Sequence, residues 1–189
     1  MTDNATARAQ ILQRVSKGVG KADFVARRAV AEAALAAPVC GPQPVIASSL
    51  VSRFQARAES LASTVDRVAN PAQAVAAVAH YLAVGDIGSE AVATPDLRGF
   101  DWAGGGLTVR VGAAVDADKV GISGCFCAIA ETGTLMLLSG PESPATVSLL
   151  PETHIALVPV GRIVATMEDA FALLRREHGS VPRAINFIS

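Results

Sequence analysis

Aromatic side chains make up only 4% of the 189 residues, so the core cannot be organised around stacked rings and must come from Ala, Val, Leu and Ile. That palette suits helices packed closely on a sheet. Charge is also scarce: Asp, Glu, Lys and Arg together are 17% of the chain, below the usual share of about a quarter. An alanine-rich chain with so little charge is expected to hide surface against a partner or in a homodimer. The formal net charge of −1 provides no overall field favouring phosphate backbones or anionic membranes, so no nucleic acid and no membrane partner is expected. No apolar run approaches the roughly 20 residues of a membrane-spanning helix. Met1-Thr2-Asp3-Asn4 lacks the basic-then-apolar plan of a signal peptide. A soluble, cytoplasmic protein is the expectation. The three cysteines are an odd number, which argues against a disulfide framework and fits a reducing compartment.

What is present reads as one α/β domain with a helical appendage. Residues 1–37 form the expected N-terminal helical segment, with Ile11, Leu12, Val15 and Val19 at helix-face spacing, an interruption at Gly18 and Gly20, and a second helix over residues 21–37. Residues 38–46 hold Pro38, Gly41, Pro42 and Pro44, a stiff extended connector. Residues 47–189 form the main domain. There, a helix is expected over residues 48–62 and a short strand over residues 65–69. Asn70 should cap a helix with Pro71 at its first position. Strands are expected over residues 90–94 and 107–112, and two buried strands within residues 125–139 should meet at Glu131-Thr132-Gly133-Thr134. A strand from His154 to Pro159, a helix capped by Thr166 and ended by Gly179, and a last strand over residues 184–189 complete the pattern. Strands alternating with helices predict a three-layer fold around a mostly parallel central sheet.

Two stretches carry a resemblance. Val120-Gly121-Ile122-Ser123-Gly124-Cys125-Phe126-Cys127-Ala128-Ile129-Ala130-Glu131-Thr132-Gly133-Thr134-Leu135, followed by Ser148-Leu149-Leu150-Pro151-Glu152-Thr153-His154-Ile155, resembles the LUD-domain family of lactate utilization protein C type. The resemblance implies the fold of ribose-phosphate isomerase, glucosamine-phosphate deaminase and CoA-transferase relatives. It implies a component of an L-lactate oxidation system, an accessory subunit beside an iron–sulfur partner. It also implies a C-terminal segment beyond Ser189. Many family members carry arginine where this chain has Pro144 and Ala145. The alternative is a stand-alone enzyme acting on a CoA ester, a phosphosugar or a small hydroxy acid.

Glu131 is the candidate reactive carboxylate, because a glutamate is the covalent nucleophile in the CoA-transferase relatives; the plain alternative is a loop residue held by turn amides. His154 is the candidate acid, base or carboxylate ligand, against an ordinary strand-edge histidine. Ligand contacts are expected from Gly121, Ser123 and Gly124, from Thr132, Gly133 and Thr134, and from Ser139 and Gly140, where glycines permit close backbone approach. Ser143 is the expected N-cap of a short helix with Pro144 at its first position. Ser123 lacks the setting of a nucleophile elbow. Cys125 and Cys127 share one strand face, but with Cys40 alone besides them no four-cysteine metal site can be assembled, so neither metal nor cofactor is expected in this chain.

Overall fold

The structure, a computed structural model, describes residues 4–19, 23–37, 41–46, 48–179 and 181–189. Gly20, Lys21 and Pro38 to Cys40, which figure in the expectations above, lie outside the described residues. The chain divides into two compact units, Met1–Gln43 and Pro44–Ser189.

The first unit contains helices α1 (Asn4–Val19) and α2 (Phe24–Ala36). Helix α1 continues through Gly18, so no interruption occurs there. A single glycine costs an interior helix about 1 kcal/mol, too little to break a 16-residue run near its end. The Asp23 side chain caps α2 by accepting the Ala26 amide at 3.2 Å. Neither helix has a buried residue.

The second unit opens with α3 (Leu50–Ser60), capped by Ser49, and α4 (Pro71–Val84), capped by Asn70. Asn70 accepts the Gln73 amide at 2.9 Å, while the Gln73 side chain accepts the Ala69 amide at 2.8 Å. The strand expected at residues 65–69 does not form. A strand needs a paired neighbour, and here only Val65 is drawn into an apolar cluster, the one around Phe54, before the chain enters the α4 cap. The remaining elements are β1 (Glu90–Ala93), β2 (Thr108–Val111), β3 (Val120–Gly124), β4 (Cys127–Ile129), β5 (Thr134–Leu138), α5 (Thr146–Leu149), β6 (Thr153–Leu157), β7 (Ile163–Val164), α6 (Met167–His178) and β8 (Ile185–Ile188). Ser143 is not a helix cap. Its backbone is spent on a tight reciprocal pair with Gly140, at 3.2 and 3.1 Å, so α5 starts only at Thr146.

These strands form two sheets. One is wholly parallel, in the order β2-β1-β3-β6. The other, β7-β4-β5-β8, joins β4, β5 and β8 antiparallel and adds β7 parallel to β4. The apolar run through β3 and β4 passes from one sheet to the other at Cys125-Phe126. Helices cover both faces of each sheet, which makes the three layers. On the parallel sheet, Val75, Val78 and Leu82 of α4 pack on Ala91, Ala93, Val120 and Ile122. Val92, pointing the other way, meets Ala114 and Val147. On the mixed sheet, Leu173 and Leu174 of α6 pack on Cys127, Ile129 and Met136. Phe54 and Ala58 of α3 meet Ala128 and Ala130 on the opposite face. Each fully buried aliphatic side chain of this kind contributes about 1.5–3 kcal/mol. No helix among the described residues is long and apolar enough to cross a membrane.

Candidate functional site

In an open parallel sheet, ligands settle beyond the carboxyl ends of the strands where the strand order reverses. Here β1 leads outward to β2 on one side, and the chain then returns to β3 on the other. The reversal therefore lies between the ends of β1 and β3. Thr94, buried at the end of β1, accepts the Gly124 amide on its hydroxyl at 3.3 Å and donates its own amide to the Ile122 carbonyl at 3.0 Å. The next turn is fixed by the Asp96 amide, which donates to the Glu142 carbonyl at 3.2 Å. The Asp96 carboxylate crosses the end of β3 so closely that a Cβ on Gly124 would come within 2.2 Å of it. A side chain at this position would require the Asp96 carboxylate to swing aside.

Beyond these strand ends opens a cleft of about 390 Å³, lined among others by Asp96, Cys125, Ser139, Glu142 and His178. The Glu142 carboxylate is held at 2.6 Å by Arg98. The Ser139 hydroxyl donates to the Ala184 carbonyl at 3.1 Å and accepts the Ala184 amide at 3.0 Å, fastening β5 to β8. Burial, with the neighbouring Cys127, pushes the Cys125 thiol up to about 12, so it stays protonated and is a poor nucleophile. The His178 ring stands edge-on to Phe126 at 5.5 Å, and the guanidinium of Arg162 lies 4.8 Å over the same ring. Arg162 is itself pinned by its bond to the Phe126 carbonyl at 2.8 Å and by a bidentate pair with Glu177.

The residues singled out from sequence fall into three places. Gly124, Ser139 and Gly140 line the cleft. Gly121, Ser123 and His154 lie within the parallel sheet, with Gly121 directly beside His154 in register. There the fully buried Ser123 hydroxyl bonds His154 Nε2 at 2.8 Å. Burial lowers the His154 pKa to about 4, so the imidazole is neutral near pH 7. The third place is the Glu131-Thr132-Gly133-Thr134 turn, at the far end of β5 from the cleft. The Glu131 amide donates to the Ala165 carbonyl at 3.0 Å. Gly133 adopts φ +77° and lies against α3, where a Cβ would come within 2.7 Å of the Ala58 amide nitrogen. The Thr132 and Thr134 hydroxyls bond each other at 2.7 Å, and Thr134 bonds Ser189 at 2.6 Å.

Sequence reasoning passed over Asp96 and Glu142. A Pro-Asp pair directly after an apolar strand was the available sign for Asp96; Glu142 has none, because only the tertiary fold brings its loop over β1. Among the described residues, no group of three or more His, Cys, Asp or Glu side chains is arranged to hold a metal ion.

The sequence matches the LUD domain over residues 113–189. Over those residues the chain is similar to the LUD-domain family. A 76-residue stretch of the chain is 37% identical to lactate utilization protein C of Anoxybacillus flavithermus, covering 40% of this chain and 34% of that protein. The protein of the same name from Bacillus subtilis is 40% identical over 74 residues, covering 38% of this chain and 31% of that one. The chain thus spans about a third of the length of the curated relatives it matches. In fold, it is similar to the crystal structure of a DUF162 family protein from Deinococcus radiodurans. The TM-score is 0.61 and the identity 23%, over 77% of this chain and 90% of that chain. The LUD region holds Gly121 to Gly140 and His154, whereas Asp96 precedes it.

Proposed function

We propose that the chain serves L-lactate utilization as an accessory subunit that docks on an iron–sulfur partner, rather than as a stand-alone catalyst. The names of its curated relatives support the lactate-utilization half of this reading. One observation carries the accessory half: the Ser123–His154 pair, though within hydrogen-bond reach, has its hydroxyl fully buried inside the parallel sheet, and Glu131 stands apart from the cleft. A nucleophile and its base must lie within hydrogen-bond reach, yet the Glu131 turn and the cleft stand at opposite ends of β5, roughly 15 Å apart at the rise of an extended strand. The cleft is also lined by Asp96, whose carboxylate opposes a small anion such as lactate, whereas that of Glu142 is paired with Arg98. A small-molecule ligand of the cleft is compatible with this role.

Co-purification tests the reading. The tagged full chain is expected to retain the iron–sulfur subunit through extensive washing and to turn over no lactate alone; failure to associate removes the accessory role. Glu131→Gln is expected to leave turnover by the assembled complex unchanged. A loss of turnover with association intact favours instead an enzyme of the CoA-transferase or sugar-phosphate isomerase kind.

A further inference from the structure

Eight large apolar side chains stand exposed on α1 and α2. On α1 they are Ile11, Leu12, Val15 and Val19, each 55–59% exposed and gathered on one side by their spacing. On α2 four more, Phe24 and Leu35 among them, are 70–80% exposed. Helices of 16 and 13 residues are marginal in water without an apolar face packed against something. A groove of about 380 Å³, lined by Val19, Phe24, Arg27 and Arg28, lies where α1 ends and α2 begins. It is held in shape by the Arg27 guanidinium donating to the Val19 carbonyl at 3.1 Å.

We propose that this helical arm is a self-association element, in which α1 and α2 of one copy pack their apolar side chains against α1 and α2 of a second copy as a two-fold four-helix arrangement. Area argues for this occupant. Each exposed side chain offers on the order of 100 Å² of apolar surface, so the four of α1 with Phe24, Val25 and Leu35 of α2 offer roughly 700 Å² per copy, close to the amount that each partner contributes to a stable interface. An isologous pair of helical hairpins covers the α1 stripe together with Phe24, Val25 and Leu35, which share one side of α2, while Val30 lies on the other side. Charge fixes a signature. Residues 1–43 carry six Lys and Arg against three Asp and Glu, a net +3, so two arms brought together repel each other weakly and salt screens that repulsion.

Sedimentation velocity on the full chain tests the proposal. A dimer is expected at micromolar concentration, tightening by several-fold as salt rises from low to high. Leu12→Glu combined with Val15→Glu is expected to weaken it at least ~100-fold, with the helical circular-dichroism signal falling as the arms separate and the thermal transition of the remaining chain unchanged. Leu12→Met combined with Val15→Ile, which keeps the face apolar, should leave the dimer intact and so separates loss of the interface from misfolding. A wild-type chain that stays monomeric overturns the proposal, and so does a dimer that survives the double glutamate substitution. A dimer that salt weakens also overturns it, pointing instead to an acidic surface as the arm's partner.

Discussion

The two sheets reach close packing by opposite means. The mixed sheet lies between helices of comparable length, α3 with 11 residues and α6 with 12, and the space is filled by Phe54, Ile129, Met136 and Leu174. The parallel sheet has the 14-residue α4 on one face but only the four-residue α5 on the other. There the layers meet by removal of side chains: a Cβ on Gly121 would lie 2.0 Å from the Val147 carbonyl oxygen. The Ser123–His154 pair sits on this thinly covered face, and the cleft opens at its end. A filled interior tolerates small changes of shape, whereas a backbone-to-backbone contact tolerates none. Polar groups and cavities accordingly collect where cover is thin.

The largest effect should come from breaking that contact. Gly121→Ala places a methyl group against a carbonyl oxygen that belongs to the helix backbone and cannot swing aside. We expect a loss of about 3 kcal/mol or more, read as the denaturation midpoint. A loss below ~1 kcal/mol would mean that α5 moves freely over β3, and the contrast between the two sheets would lapse.

The next effect is a pH dependence confined to the same face. His154 titrates near 4 in the folded state because it is buried, against about 6.5 in an unfolded chain. Between those values the unfolded state binds the extra proton, so stability rises with pH. The contribution is complete above about pH 6.5 and is lost as pH falls toward 4, on the order of 3 kcal/mol for this residue. Unfolding free energies measured across that window should show a step that His154→Gln removes, over and above the background of carboxylate titration. An unchanged step in the variant would place the titration elsewhere.

The sequence declares what local chemistry decides. Asn70-Pro71 and Thr166 through Gly179 announce their helices because caps and dipole preferences lie within a few residues of each other. The buried run from Cys127 to Leu138 announces a hairpin because Glu131 and Gly133 interrupt it. Distant pairings stay hidden. Nothing local in Val65 to Ala69 shows that it has no neighbouring strand, and nothing in Gly140 to Ser143 shows that those residues pair with each other. The same limit governs the candidate site. Ser123 and His154 are separated by 31 residues and meet only because β3 and β6 pair in parallel. Asp96 reaches Gly124 only because β1 and β3 do. Glu131 stood out as a charge between apolar strands, which marks a turn as readily as it marks a reactive group.

The smallest effect tests whether the mixed sheet depends on its helices as the comparison requires. Thr166 and Asp169 form a reciprocal cap at the start of α6: the Thr166 hydroxyl accepts the Asp169 amide at 3.3 Å, and the Asp169 carboxylate accepts the Thr166 amide at 3.2 Å. Thr166→Ala removes the hydroxyl and leaves the Asp169 amide without that partner, which costs about 1 kcal/mol. Thr166→Ser, which restores the oxygen, should recover most of the loss. Asn70→Ala, at the head of α4, removes the corresponding oxygen from the parallel sheet's long helix and should cost about the same. Both are read from denaturation midpoints at fixed pH. Equal losses would mean that α4 and α6 hold their sheets alike, leaving α5 as the element that makes the parallel sheet different. A much larger loss at Thr166 would show the mixed sheet to be the weaker half, and the contrast would then lie in the helices rather than in Gly121.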